Sequence, residues 1–287
     1  MTAGQSARIA VVGRGRIGAG LGLVWSRAGA GVTLLVRDAG TTHGLAAAGP
    51  EAWAAAIANA ECVLLATPDR EIHGVARQLA ELGAVHSRHV VLHTSGLLDR
   101  TALAPLAMSG AGLGSLHPLM AVARAEDAPE QVRGGFAGIE GDAPAVAAAT
   151  HLATLAGMIP VPIPSSAKAA YHAAATMVSN YTVTLYDSAR RLAEQHGVPS
   201  ESAARIYLPL LRGTVTNLEG QEPAAALTGA IRRGDAETVA AHLRALGDAD
   251  LRRLYVELGR ATLQLARRAG LEEEAAERVA GVLGVER

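Results

Sequence analysis

Aromatic residues are scarce in this chain: one Phe, two Trp and five Tyr, 3% of 287 residues. Its core must therefore be assembled from Ala, Val, Leu and Ile, and a 49% apolar composition supplies enough of them. Cys62 is the only cysteine, which excludes an internal disulfide. It lies in the apolar run Cys62-Val63-Leu64-Leu65-Ala66 and reads as a buried thiol. Neither charge sign is in excess: the net charge is −1, which removes the electrostatic case for nucleic acid or an anionic membrane surface. No unbroken apolar run reaches the roughly 20 residues a membrane-spanning helix needs. No basic-then-apolar leader precedes the first glycines. A soluble, cytoplasmic protein is expected. Lysine is nearly missing as well. Of 26 basic residues, Lys168 alone is a lysine. Arg cannot release a proton in a protein and a part-buried Lys can. A lysine kept in such an arginine-rich chain is thus a candidate for proton chemistry, with chance survival as the alternative.

At roughly 100–200 residues per domain the length suggests two domains. Short β-rich runs at 8–12, 32–36, 62–66, 89–93, 112–116, 136–140 and 158–163 alternate with helical stretches at 16–28, 51–58, 70–82 and 143–155. Alternation of this kind predicts an α/β Rossmann domain, a doubly wound, mostly parallel sheet covered on both faces. The pattern changes after Pro164. Helical spacing of apolar residues then predicts one long helix over 165–196, followed by helices at 201–218, 235–246, 248–269 and 272–283. The expected division is therefore 1–164 for the Rossmann domain and 165–287 for an all-α C-terminal domain.

The run Gly13-Arg14-Gly15-Arg16-Ile17-Gly18 sits between the first strand and the first helix. In that setting Gly13 permits a tight turn, Gly15 lets the backbone approach a pyrophosphate, and Gly18 lets helix and strand pack closely. The helix N-terminus then offers free N–H groups to the anion. This predicts a nicotinamide dinucleotide site. An NAD site usually ends its second strand with an acid that holds the ribose 2′-OH. Here that strand ends Val36-Arg37-Asp38. Arg37, with Arg14 nearby, suits the 2′-phosphate of NADP, and Asp38 leaves NAD open. Thr67-Pro68-Asp69 and His93-Thr94-Ser95-Gly96 close later strands at the edge where open parallel sheets bind ligands, which makes Thr67, Pro68 and Thr94 candidates to line the cofactor.

Lys168 and His172, four apart on a helix, share a face. Ser179 falls about 20° from Lys168 around a helix of 3.6 residues per turn. Such a stripe can bind a carbonyl and deliver a proton to it; the bland alternative is a solvated lysine and a core histidine. His117, in Ser115-Leu116-His117-Pro118, again closes a strand. His93, His117 and His172 could converge, but no short ligand pair such as His-x-x-x-His supports a metal site, and none is expected.

These segments, together with Leu64-Leu65-Ala66-Thr67-Pro68-Asp69, Ser179-Asn180-Tyr181, Leu227-Thr228-Gly229 and Arg233-Gly234-Asp235, resemble the Rossmann-like and DUF2520 domain-containing proteins over nearly the whole chain. Those are relatives of the 6-phosphogluconate and β-hydroxyacid dehydrogenase superfamily. Ala230 stands where a proline is expected. The resemblance implies a helical second domain that often forms a homodimer contact. It implies Lys168 as the catalytic lysine of a Lys-x-x-x-Asn helix, with His172 in place of the asparagine. It implies a role for His117 at the reacting hydroxyl, by similarity to the His-Pro segment of prephenate dehydrogenases. The expected activity is NADPH-dependent reduction of a small 2-oxo or 3-hydroxy-type acid, ketopantoate-like by analogy. Lys168 serves as general acid, and His172, His117 and Ser95 hold the carbonyl and carboxylate. Imine reduction of the pyrroline-5-carboxylate type and a non-catalytic NADP(H) sensor or scaffold are the alternatives.

Overall fold

The computed structural model describes residues 6–38 and 42–284; the stretch before the first glycines begins outside them. Eight strands form one sheet: β1 (Arg8–Val12), β2 (Gly31–Leu35), β3 (Ala46–Ala48), β4 (Cys62–Leu65), β5 (Val90–His93), β6 (Gly112–Leu119), β7 (Phe136–Gly141) and β8 (Ile159–Pro162), in the order β3-β2-β1-β4-β5-β6-β7-β8. Every neighbouring pair is parallel except β6 with β7. The central strands β1 and β4 are almost wholly apolar because both faces are covered. Ile9, Val11, Cys62 and Leu64 pack into one core, while the alternating Ala10, Val12, Val63 and Leu65 pack into the other.

The helices of this part are α1 (Arg16–Arg27), α2 (Trp53–Ala58), α3 (Asp69–Glu81), α4 (Ala128–Gln131), α5 (Ala143–Leu155) and α6 (Lys168–Val178). α1 ends in the left-handed Gly29 (φ 88°), as its sequence anticipates. Trp25 is fully buried under α1 and donates its Nε1–H to the Leu152 carbonyl, 2.9 Å away, on α5. α5 begins at Asp142, whose carboxylate accepts from the Ala145 N–H at 3.0 Å.

Contacts divide the chain into two compact units, Met1–Asn180 and Tyr181–Arg287. The change from alternating strands to helices falls at Pro164, but α6 makes its contacts with the first unit. The second unit holds α7 (Asn180–Gln195, from Tyr181 on), α8 (Ser200–Ala203), α9 (Leu208–Gly220), α10 (Pro223–Ala226), α11 (Ala236–Ala245), α12 (Ala249–Arg268) and α13 (Glu273–Val282). Its core gathers Val239, Leu243, Leu263, Ala276, Val279 and Leu283. It has no strand among the described residues, and no described helix is long and apolar enough to cross a membrane.

Two expectations need correction, and two further elements were not anticipated. The helix expected over 165–196 is interrupted at Ser179, between α6 and α7, where Ser and Asn side chains compete with the backbone for hydrogen bonds. The helix expected over 201–218 is two, α8 and α9, separated by a turn. β3 is three alanines, with no strand propensity to announce it. Arg100–Ser109 is a run of 3₁₀ turns around Pro105.

Candidate active site

The loop from β1 into α1 is fixed by close backbone contacts. Gly13 has a φ of 106°, and a Cβ there would stand 2.7 Å from the Ala66 carbonyl oxygen. A Cβ on Gly18 would run into the Gly13 carbonyl oxygen. Around Gly15, by contrast, there is open space. Gly15 caps α1 without a side-chain hydrogen bond, and the first turn of α1 carries no acid. The helix end is thus an open cradle for an anion. A cavity of about 160 Å³ adjoins it, lined by Gly13, Arg14, Val36, Arg37, Asp38 and Thr67 among others. Arg14 is paired with Asp38 at 3.1 Å, and Arg37 with Glu71 at 3.3 Å. The Thr67 Oγ1 is buried with no hydrogen-bond partner among the described residues. An open glycine, an uncapped helix end and an unpartnered hydroxyl together fit a dinucleotide. Arg16 and Ile17 line the next cavity, about 430 Å³, with Met120, Ser179 and Asn180. Thr94 extends the ladder, its N–H donating to the Leu65 carbonyl at 3.1 Å. Pro68 is exposed and opens α3.

The ends of β5 and β6 meet α6 at the same sheet edge. A Cβ on Gly96 would stand 2.6 Å from His172 Nδ1 and 2.8 Å from His117 Nε2. Glycine is what lets the two rings converge, with centroids 5.7 Å apart and near-perpendicular. His172 Nδ1 is buried without a partner among the described residues. His117 Nδ1 lies 2.9 Å from the Tyr171 hydroxyl. Burial, then the neighbouring His172 and Lys168, bring His117 down to about 4, and burial pushes the Tyr171 phenol up to about 12. Both rings and Tyr171 line a cavity of about 570 Å³ with Met120, Ser179 and Asn180.

Lys168 is 2% exposed. Its Nζ donates to the Ser95 carbonyl at 2.9 Å and to Ser115 Oγ at 2.7 Å. Burial brings its pKa down to about 8, against the opposing pull of Glu140, Asp99 and Asp69. The Ser95 hydroxyl donates to Asp69 at 2.7 Å and accepts from the Leu97 and Leu98 N–H groups. Ser95 therefore offers Lys168 its carbonyl, while its hydroxyl braces the turn. His93 is fully buried. Its Nδ1 accepts from the Ser95 N–H at 3.2 Å, so its Nε2–H donates to the Asp99 carbonyl at 3.0 Å. Burial brings it down to about 4. It is a neutral structural histidine, and no metal-binding group of three ligands occurs among the described residues.

Glu140 and Ser115 belong to the site without having been singled out for it by sequence. Asp69 and Ser115 lay inside quoted segments, and Tyr171 adjoins His172 near the start of the same helix. Glu140 had no signal beyond being an acid in a strand.

A glycine turn opening the first helix, on a sheet of this order, defines a Rossmann-type protein. Residues 3–118 match the Rossmann-like domain model, and residues 136–262 match the domain of unknown function DUF2520. The chain belongs to the Rossmann-like and DUF2520 domain-containing proteins. Among solved structures it is similar to a Thermotoga maritima protein (24% identity, TM-score 0.69, covering 91% of this chain and 98% of that one). It is also similar to a candidate NADP oxidoreductase from Bacteroides fragilis (20%, 0.68, 89% and 97%), and to the Plasmodium falciparum pyrroline carboxylate reductase with NADP bound (13%, 0.60, 96% and 98%). No curated protein matches it by sequence.

Proposed function

We propose that this chain is an NADPH-dependent oxidoreductase that reduces the carbonyl of a small 2-oxo acid, or of the 3-oxo acid that gives a 3-hydroxy-type acid, a ketopantoate-like compound being one candidate. The observation that carries the reading is the chain's sole lysine, buried at the strand edge that also carries the glycine cradle, its ammonium held by Ser95 and Ser115. The NADP-bound reductase among its structural neighbours supports the cofactor class. Gly13–Gly18 would hold the pyrophosphate, Thr67 and Thr94 the neighbouring groups, and Arg14 and Arg37 the 2′-phosphate. Bound there, the cofactor supplies a hydride.

The chain's own groups manage the proton. An ammonium has three N–H donors; two are engaged, which leaves the third for the reacting oxygen. With its pKa at about 8, Lys168 is charged at neutral pH yet close enough to give its proton up. His117 stays neutral, fixed by Tyr171, and the unpartnered His172 Nδ1 is available to orient the substrate.

One feature favours imine reduction as a second reading: Lys168 is not among the residues lining the 570 Å³ cavity, and an imine brings its own proton. NADPH oxidation over a panel of 2-oxo acids and cyclic imines, run beside Lys168→Ala, decides. Carbonyl reduction falls about 10²–10⁴-fold in the variant, whereas imine reduction persists. NADPH binding without turnover on any substrate establishes a sensor instead.

A homodimer goes with this reading. Helix α9 has no buried residue, and Leu210, Val215 and Leu218 are each at least half exposed. A thirteen-residue helix is marginal in water without packing, and a second copy can cover it. The reading also places the protein in the cytoplasm, with the reduced cofactor.

A further inference from the structure

We propose that Glu140, acting through Ser115, is a positioning residue that holds the Lys168 ammonium in place and in its charged state. The consequence for catalysis rests on the reading of Lys168 as the acid; the arrangement itself does not. Glu140 lies on β7 directly opposite Ser115 on β6, so both side chains share one face of the sheet. It is 4% exposed and Ser115 is fully buried. Ser115 Oγ accepts from Lys168 Nζ at 2.7 Å and passes its own hydrogen to Glu140 Oε2 at 3.3 Å. The other oxygen, Oε1, accepts from Ser165 Oγ at 2.9 Å, just ahead of α6. The carboxylate thus ties the ammonium and the start of its helix to the sheet.

A buried carboxylate with only hydroxyl partners is strongly penalised unless a cation stands close. The one within reach is Lys168, across a single hydroxyl. The other groups facing Lys168 are Asp69, Asp99, His93 and His117. Asp69 is committed to Ser95 Oγ, and Asp99 to the Thr101 N–H at 2.9 Å. Neither of those acids is buried, and both histidines stay neutral near pH 7. Glu140 is the buried counter-charge among the described residues.

Because Lys168 is the only lysine, protein grown on lysine labelled with ¹³C at the ε carbon yields a single lysine ε resonance, whose pH titration reports this group alone. The midpoint expected for the native chain is about 8. Glu140→Gln, nearly isosteric, lowers it by about 1–3 units. Ser115→Ala, which breaks the bridge and spares the charge, lowers it by less, and Glu140→Asp restores part of the loss. In an active enzyme the alkaline fall of kcat moves by the same amount while the KM for NADPH stays put. A midpoint unchanged in folded Glu140→Gln overturns the proposal. Should that variant fail to fold, an unchanged midpoint in both Ser115→Ala and Glu140→Asp overturns it equally. A moved midpoint in a chain that turns over nothing sinks the catalytic reading and leaves this one standing.

Discussion

The two ends of the candidate site are built from different materials. At one end, Gly13, Gly15 and Gly18 shape a cradle out of backbone, and side chains matter there mainly by being absent. At the other, titratable side chains, Lys168, His117, Tyr171 and His172, are brought together, and the backbone matters by leaving room at Gly96. A backbone site is encoded locally. A side-chain site is encoded by register, through residues such as Ser115 and Glu140 that only strand pairing brings face to face.

Substitutions that treat the two ends separately sharpen this contrast. The largest effect is expected at the side-chain end. Lys168→Met lowers kcat for carbonyl reduction by about 10²–10⁴-fold with the NADPH dissociation constant unchanged; steady-state rates and a binding titration check both. A parallel loss of cofactor affinity breaks the division of labour.

Gly18→Ala follows, and its effect is on folding. The added methyl meets the Gly13 carbonyl, and overpacking of this kind costs about 1–3 kcal/mol, read as a lower urea midpoint. Acid should produce a comparable loss. His93 is neutral and buried with a pKa of about 4, below the ordinary value of about 6.5. As pH falls from 6.5 toward 4 the unfolded chain binds the proton first, so stability drops across that window, by about 3 kcal/mol for this group. Urea midpoints at pH 7 and 4.5 test the sign, and a variant at His93 should lose part of the dependence.

The smallest effect falls on cofactor choice. Arg37→Ala should erase about tenfold of the preference for NADPH over NADH, near 1.4 kcal/mol. Its exposed pair with Glu71 adds little to stability, so melting should hardly change. Equal dissociation constants for the two cofactors in the native chain remove the 2′-phosphate assignment.

The same contrast explains what the sequence made legible. The alternation of strands and helices, the glycine turn and the end of α1 are local patterns, and they were readable. Lys168 stood out because arginine had displaced every other lysine. Glu140 did not, since its role depends on β7 running antiparallel to β6, and the stretch from 120 to 135 is long enough for either direction. Tyr171 sat beside residues already noticed, yet its contact with His117 spans two elements. β3 was invisible because three alanines carry no strand preference.

The most direct test is to titrate NADPH into the native chain and into Gly15→Ala. Open space surrounds Gly15 in the folded protein, so the methyl group can meet only the bound pyrophosphate. The account predicts tight binding by the native chain, and at least tenfold weaker binding by a variant that melts at the same temperature; about 1.4 kcal/mol separates the two outcomes. Equal affinity for NADPH in the two proteins, or none in either, would contradict it.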